Sequence, residues 1–111
     1  MPEFRHPAEI TADTRGHGWT VSTLADARHV PGMAMSARLW RIDAEASGPQ
    51  QEWDEGHERF LYVVSGSGTL ELEAGATAIG PEDVVWVEPG DRFTLRAGDA
   101  QPLVVLDAVS A

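Results

Sequence analysis

His57, flanked by Asp54, Glu55 and Glu58, is the side chain whose type best suits proton transfer in this sequence. Imidazole titrates near neutrality, so His57 can serve as a general acid or base; it reads equally as a rim histidine in a polar loop. Gln51, Glu55 and His57 stand at alternate-residue spacing, which would align them on one strand face. The other histidines, His6, His17 and His29, are not spaced as a ligand set and read as solvated residues. There is no cysteine, which excludes disulfides, thiolate nucleophiles and thiolate-bound zinc. Ser65, Ser67 and Ser110 do not sit in a Gly-x-Ser-x-Gly elbow with a matching base, so hydrolysis by that route is not expected. Gly66 and Gly68 stand at a turn between β-prone runs and do not open a helix, so they do not form a phosphate loop.

These side chains need a scaffold, and the sequence offers β-strands. Met33 to Ile42 reads as one long strand, followed by a loop at Ala46-Ser47-Gly48-Pro49. Arg59 to Val64 is dense in aromatic and β-branched residues. The turn Ser65-Gly66-Ser67-Gly68 then predicts a hairpin with Thr69 to Glu73, whose strict alternation buries one face. Further strands are expected over Ala76 to Ile79, Val84 to Val87, Arg92 to Arg96 and Leu103 to Val109. The first thirty residues are polar and irregular apart from Trp19 to Leu24, and that opening could hold one or two edge strands or a covering loop. About eight short strands punctuated by Gly and Pro, with no helical period, imply an all-β sandwich or barrel in a single domain, 1–111.

Acidic residues outnumber basic ones by 18 to 8, a net charge of −10 that argues against nucleic-acid or anionic-membrane partners. The segment Met1 to Glu9 lacks the apolar stretch of a secretory signal. With no cysteine to point elsewhere, the expected location is cytoplasmic.

The stretch His57-Glu58-Arg59-Phe60-Leu61-Tyr62-Val63-Val64-Ser65-Gly66-Ser67-Gly68-Thr69-Leu70 resembles the first motif of the cupin superfamily. Glu82-Asp83-Val84-Val85-Trp86-Val87-Glu88-Pro89-Gly90 is similar to its second. The resemblance covers residues 33–108, with 1–30 left as an N-terminal arm. It implies a cupin-type β-barrel, a double-stranded β-helix or jelly roll. It also implies a metal held by two histidines and a glutamate of the first motif and a histidine of the second. Anchored on Gly66, those positions are Trp53, Glu55, Arg59 and Phe93. Anchored on Gly68, the histidine pair falls on Glu55 and His57, the glutamate on Leu61, and Phe93 is unchanged. Tryptophan, arginine and phenylalanine offer a metal no lone pair, and a guanidinium repels a cation. Substitute ligands would have to come from Gln51, Glu55 and His57.

The resemblance therefore implies a metal-independent cupin, without a cofactor, holding a small, partly apolar organic molecule. By family register and alternation, Arg59, Leu61 and Val63 face the interior. A charge there must be paired or must meet a ligand anion. Arg59 accordingly reads either as the anchor of a ligand carboxylate or enolate, or as the internal partner of Glu55, Glu52 or another acid. Only one of Arg38 and Arg41 can share its face. Trp53, Phe93, Leu61 and Val63 would form apolar walls, or Trp53 and Phe93 would plug the barrel. The faces taken by Trp40 and Trp86 are open. A second reading is a metal-free isomerase or cyclase with His57 and Glu55 as its acid–base pair. A third is a metalloenzyme with Gln51, Glu55 and His57 as ligands. Resemblance also implies a homodimer.

Overall fold

The computed structural model describes residues 14–25, 35–52 and 58–110. Ten strands run through them: β1 (Thr14–Gly16), β2 (Trp19–Ala25), β3 (Met35–Ile42), β4 (Gln51–Glu52), β5 (Arg59–Ser65), β6 (Gly68–Leu72), β7 (Gly75–Ile79), β8 (Val84–Val87), β9 (Arg92–Ala97) and β10 (Leu103–Ser110). They form two antiparallel sheets, one in the order β1-β2-β3-β10-β5-β8 and the other β4-β9-β6-β7. No described helix is long and apolar enough to cross a membrane.

Alternation decides what faces in. On β5, Arg59, Leu61 and Val63 are buried, as expected, while Phe60 and Tyr62 face the other way. Leu103, Val105 and Asp107 do the same on β10, and Trp40 and Ile42 on β3. Leu70, Ile79, Phe93 and Leu95 of the smaller sheet close over them as one core. Each such apolar side chain contributes about 1.5–3 kcal/mol on burial. Strand phase also settles the two tryptophans. Trp40 lies in the core with its ring 5.5 Å from Trp19, whereas Trp86 is 66% exposed on the outer face. The strand expected in the N-terminal part becomes β1 and β2 at the edge of the larger sheet.

The hairpin expected at Ser65-Gly66-Ser67-Gly68 is not there. β5 pairs with β10 and β8, and β6 pairs with β7 and β9, so this segment carries the chain from one sheet to the other. Both glycines are needed for a reason invisible locally. A Cβ on Gly66 would stand 2.1 Å from the Pro102 carbonyl oxygen, and one on Gly68 would stand 2.0 Å from that of Arg96. The close passage of three backbones, and not a tight turn, dictates the pair. The hairpin instead joins β6 to β7, where Leu72 pairs with Gly75 across Glu73-Ala74.

Candidate functional site

Asp107 lies on β10, the strand between β3 and β5. It stands opposite Arg38 on one side and Leu61 on the other. Arg59 is two residues before Leu61 and Trp40 two after Arg38, so alternation turns all four polar groups inward together. Asp107 is fully buried and Arg59 is 2% exposed. The guanidinium of Arg59 grips the carboxylate with two hydrogen bonds, Nε to Oδ1 at 2.8 Å and Nη2 to Oδ2 at 2.7 Å. Arg38 Nη2 donates to Oδ2 at 2.8 Å, and Trp40 Nε1 donates to the same oxygen at 3.0 Å.

The smaller sheet completes the enclosure. Gln51 of β4 accepts through Oε1 from Arg59 Nη2. The Phe93 ring of β9, paired with Gln51 across the strands, lies 5.0 Å from the Arg59 guanidinium carbon in a cation–π contact. Arg38 sits 5.5 Å from the Trp40 ring. No buried polar side-chain atom among the described residues lacks a hydrogen-bond partner.

A buried ion pair of this kind recovers its desolvation cost only with good geometry and fully satisfied partners, and both conditions are met. Two guanidiniums share the Asp107 carboxylate inside a chain whose net charge is −10. Asp107 accepts four hydrogen bonds, which occupies its oxygens and leaves it poorly suited to ligate a metal.

Of the site residues anticipated from sequence, Arg59, Leu61, Val63 and Phe93 are brought together in the interior. Leu61, Val63 and Phe93 are packed tightly enough to form a floor, with a cleft of about 50 Å³ beside Phe93, between β6 and β8. That volume suits water and not an organic ligand. Arg59 pairs with Asp107 and not with Glu52, which is exposed and pairs with Arg92 at 3.3 Å. Arg38 is the inward arginine and Arg41 is exposed on the opposite face. His17 is exposed. Trp53, Glu55, His57, His6 and His29 lie outside the described residues, so the acid–base pair and most of the substitute ligand set do too.

Asp107 is the residue that the motif reading passes over. Its signal is modest but present: an acid in phase with Leu103 and Val105 on an otherwise apolar strand needs a buried cation.

The metal implied by the fold can be tested against the interior positions described. The glutamate position is held by Arg59, a fixed cation, and the second-motif histidine position by Phe93, which has no donor. Among the described residues there is no group of three or more His, Asp or Glu side chains able to hold a metal. These positions do not fit the usual metal.

Two facing antiparallel sheets around a charged interior cluster define a jelly-roll barrel. The Cupin domain model matches residues 38–109, and the chain belongs to the cupin family. None of the curated proteins matches it in sequence. Among solved structures, the polyketide cyclase RemF from Streptomyces resistomycificus is similar at 19% identity and a TM-score of 0.83, covering 99% of this chain and 80% of that one. KdgF from Halomonas sp. is 23% identical with a TM-score of 0.79, over 99% and 94% of the two chains. The ectoine synthase of P. lautus is 20% identical with a TM-score of 0.79, over 98% and 78%. At these identities the likeness is one of fold.

Proposed function

We propose that this cupin binds a small, partly apolar organic molecule above the Arg59–Asp107 cluster, without a transition metal in the family's usual place. The observation that carries this reading is Arg59 itself, a buried guanidinium locked to Asp107 where the family motif puts a metal-binding glutamate. A cation beside it would be repelled, whereas the partly exposed guanidinium of Arg38 next to it keeps donors for a polar organic group. The inward-facing Arg38 side chain keeps 36% of its surface exposed, while Asp107 beneath it keeps none. Protein purified without added metal is expected to hold substoichiometric first-row metal by elemental analysis, and to carry or take up a small molecule in native mass spectrometry. A stoichiometric metal would overturn the reading.

A second copy of the chain is proposed as the partner. The outer face of β5, β8 and β10 presents Phe60, Tyr62, Val64, Val84, Trp86 and Leu106, with Glu58 at its border, in a molecule that is acidic overall. The Trp86 ring packs against Phe60 at 5.6 Å and remains largely bare. Two such largely apolar faces meet with less repulsion than the acidic remainder of the surface would bring. Light scattering is expected to give a dimer mass, and Trp86→Glu to shift it to the monomer; a monomeric parent protein would refute the assignment.

A further inference from the structure

Two charges at opposite corners of the outer sheet face fix how a second copy lies on it, an inference that rests on the dimer proposed above. Arg41 is the one charged side chain that β3, β10, β5 and β8 turn to this face. It is exposed and stands on β3, opposite Val104. Glu58, in phase with Phe60, stands on the far side of β10. Two hydrogen bonds set it opposite Ser110: Ser110 N donates to its carbonyl oxygen at 2.9 Å, and its own N donates to Ser110 Oγ at 2.8 Å. Val104 and Ser110 lie near opposite ends of β10, so the charges are about 20 Å apart along the strands and about 10 Å apart across them. Neither makes an ion pair among the described residues.

The Glu58 corner is also hollow. A groove of about 90 Å³ there is lined by Met35, Phe60, Trp86, Ala108, Glu58 and Ser110. Its two rings lie 5.6 Å apart, and Trp86 is largely bare. Apolar walls beside one carboxylate suit an arginine. Its stem covers apolar surface while its guanidinium stacks on a ring and bonds the carboxylate.

We infer that each protomer lays its Arg41 into the partner's groove, against the partner's Glu58, and that the contact is made twice. A two-fold axis lying in the face and perpendicular to the line from Arg41 to Glu58 exchanges the two corners. An axis along that line would instead set Arg41 on Arg41 and Glu58 on Glu58. Only the first arrangement turns both charges into attraction. The choice has weight in a chain of net charge −10, whose copies repel one another over most of their surface. Glu88, directly after β8 at the Glu58 end, adds negative charge to the receiving corner.

Charge reversal tests the pairing, read by sedimentation equilibrium of the full chain. Arg41→Glu and Glu58→Arg should each weaken the dimer about ten-fold or more, since each sets like charges together twice. Mixed in equal amounts, the two single variants should form a heterodimer, resolved by mass in native mass spectrometry, with an affinity within about three-fold of the parent's. Both of its contacts join opposite charges. The double variant, Arg41→Glu with Glu58→Arg, should recover self-association for the same reason. Arg92→Glu, on the smaller sheet, changes the net charge as much as Arg41→Glu and should leave the dimer as it is. These side chains are exposed, and a thermal melt of each variant checks the fold. The arrangement is overturned, with the dimer left standing, if the parent's affinity survives Arg41→Glu, falls equally with Arg92→Glu, or is not recovered when the single variants are mixed. A monomeric parent protein removes the arrangement and the dimer together.

Discussion

Asp107→Asn is expected to destabilise the fold by about 3–5 kcal/mol, the range seen when one partner of a buried ion pair is removed. The substitution keeps the side chain's volume, so no cavity enters the comparison. What changes is charge. Arg59, with 2% of its surface exposed, would be left inside the barrel without its carboxylate. Arg38 would be held close to it as a like charge, although its partial exposure lets water screen that repulsion. Total stability for a domain is about 5–15 kcal/mol, so a loss of this size removes a large share. Urea denaturation reads it as a fall in midpoint with unchanged slope. The double substitution Arg59→Met with Asp107→Leu supplies the discriminating control. Apolar residues of similar volume can replace a buried pair at little cost, so the double variant should be more stable than Asp107→Asn. A loss below about 1 kcal/mol in Asp107→Asn, the size of an ordinary hydrogen bond, would mean that the carboxylate does not hold a buried charge.

This cluster also marks where sequence reasoning stopped. Inward orientation of Arg59, Leu61 and Val63 follows from a period of two, and the structure bears it out. The acid that pairs with Arg59 does not follow from the same rule, because Asp107 lies 48 residues further on, in β10, and is brought beside β5 only when β10 pairs with it. Glu52 is nearer in the chain, yet it turns outward to Arg92. Position along the chain is a poor guide to partnership in a barrel whose adjacent strands are so often distant in sequence. Trp40 and Trp86 were ambiguous for a related reason: each strand's phase is set by its neighbours, and only the pairing of β3 with β10 and of β8 with β5 fixes it. Composition and punctuation were enough for the family and the strand set. The polar network needed the pairing.

The crossing between the sheets at Gly66 carries the second large effect. Gly66→Ala is expected to cost more than about 3 kcal/mol, or to prevent accumulation of folded protein, because two independent penalties coincide there. Gly66 has φ of +79°, a region that L side chains rarely enter. Its added Cβ would also stand 2.1 Å from the Pro102 carbonyl oxygen and 3.1 Å from the Leu103 Cα. Those are backbone atoms at the start of β10, so no rotamer change relieves the clash. β10 would have to move, and with it Asp107, away from β5 and Arg59. Gly68→Ala meets the Arg96 carbonyl oxygen at 2.0 Å without a left-handed backbone, so it should rank second. Gly80→Ala, which meets nothing within 4 Å, should fall within about 0.5 kcal/mol of the parent. The order Gly66, Gly68, Gly80 in thermal melts is thus a direct measure of the sheet crossing. Were Gly66→Ala to melt with the parent protein, the segment could not be threaded between Pro102 and Arg96, and the register that brings Asp107 to Arg59 would lose its anchor.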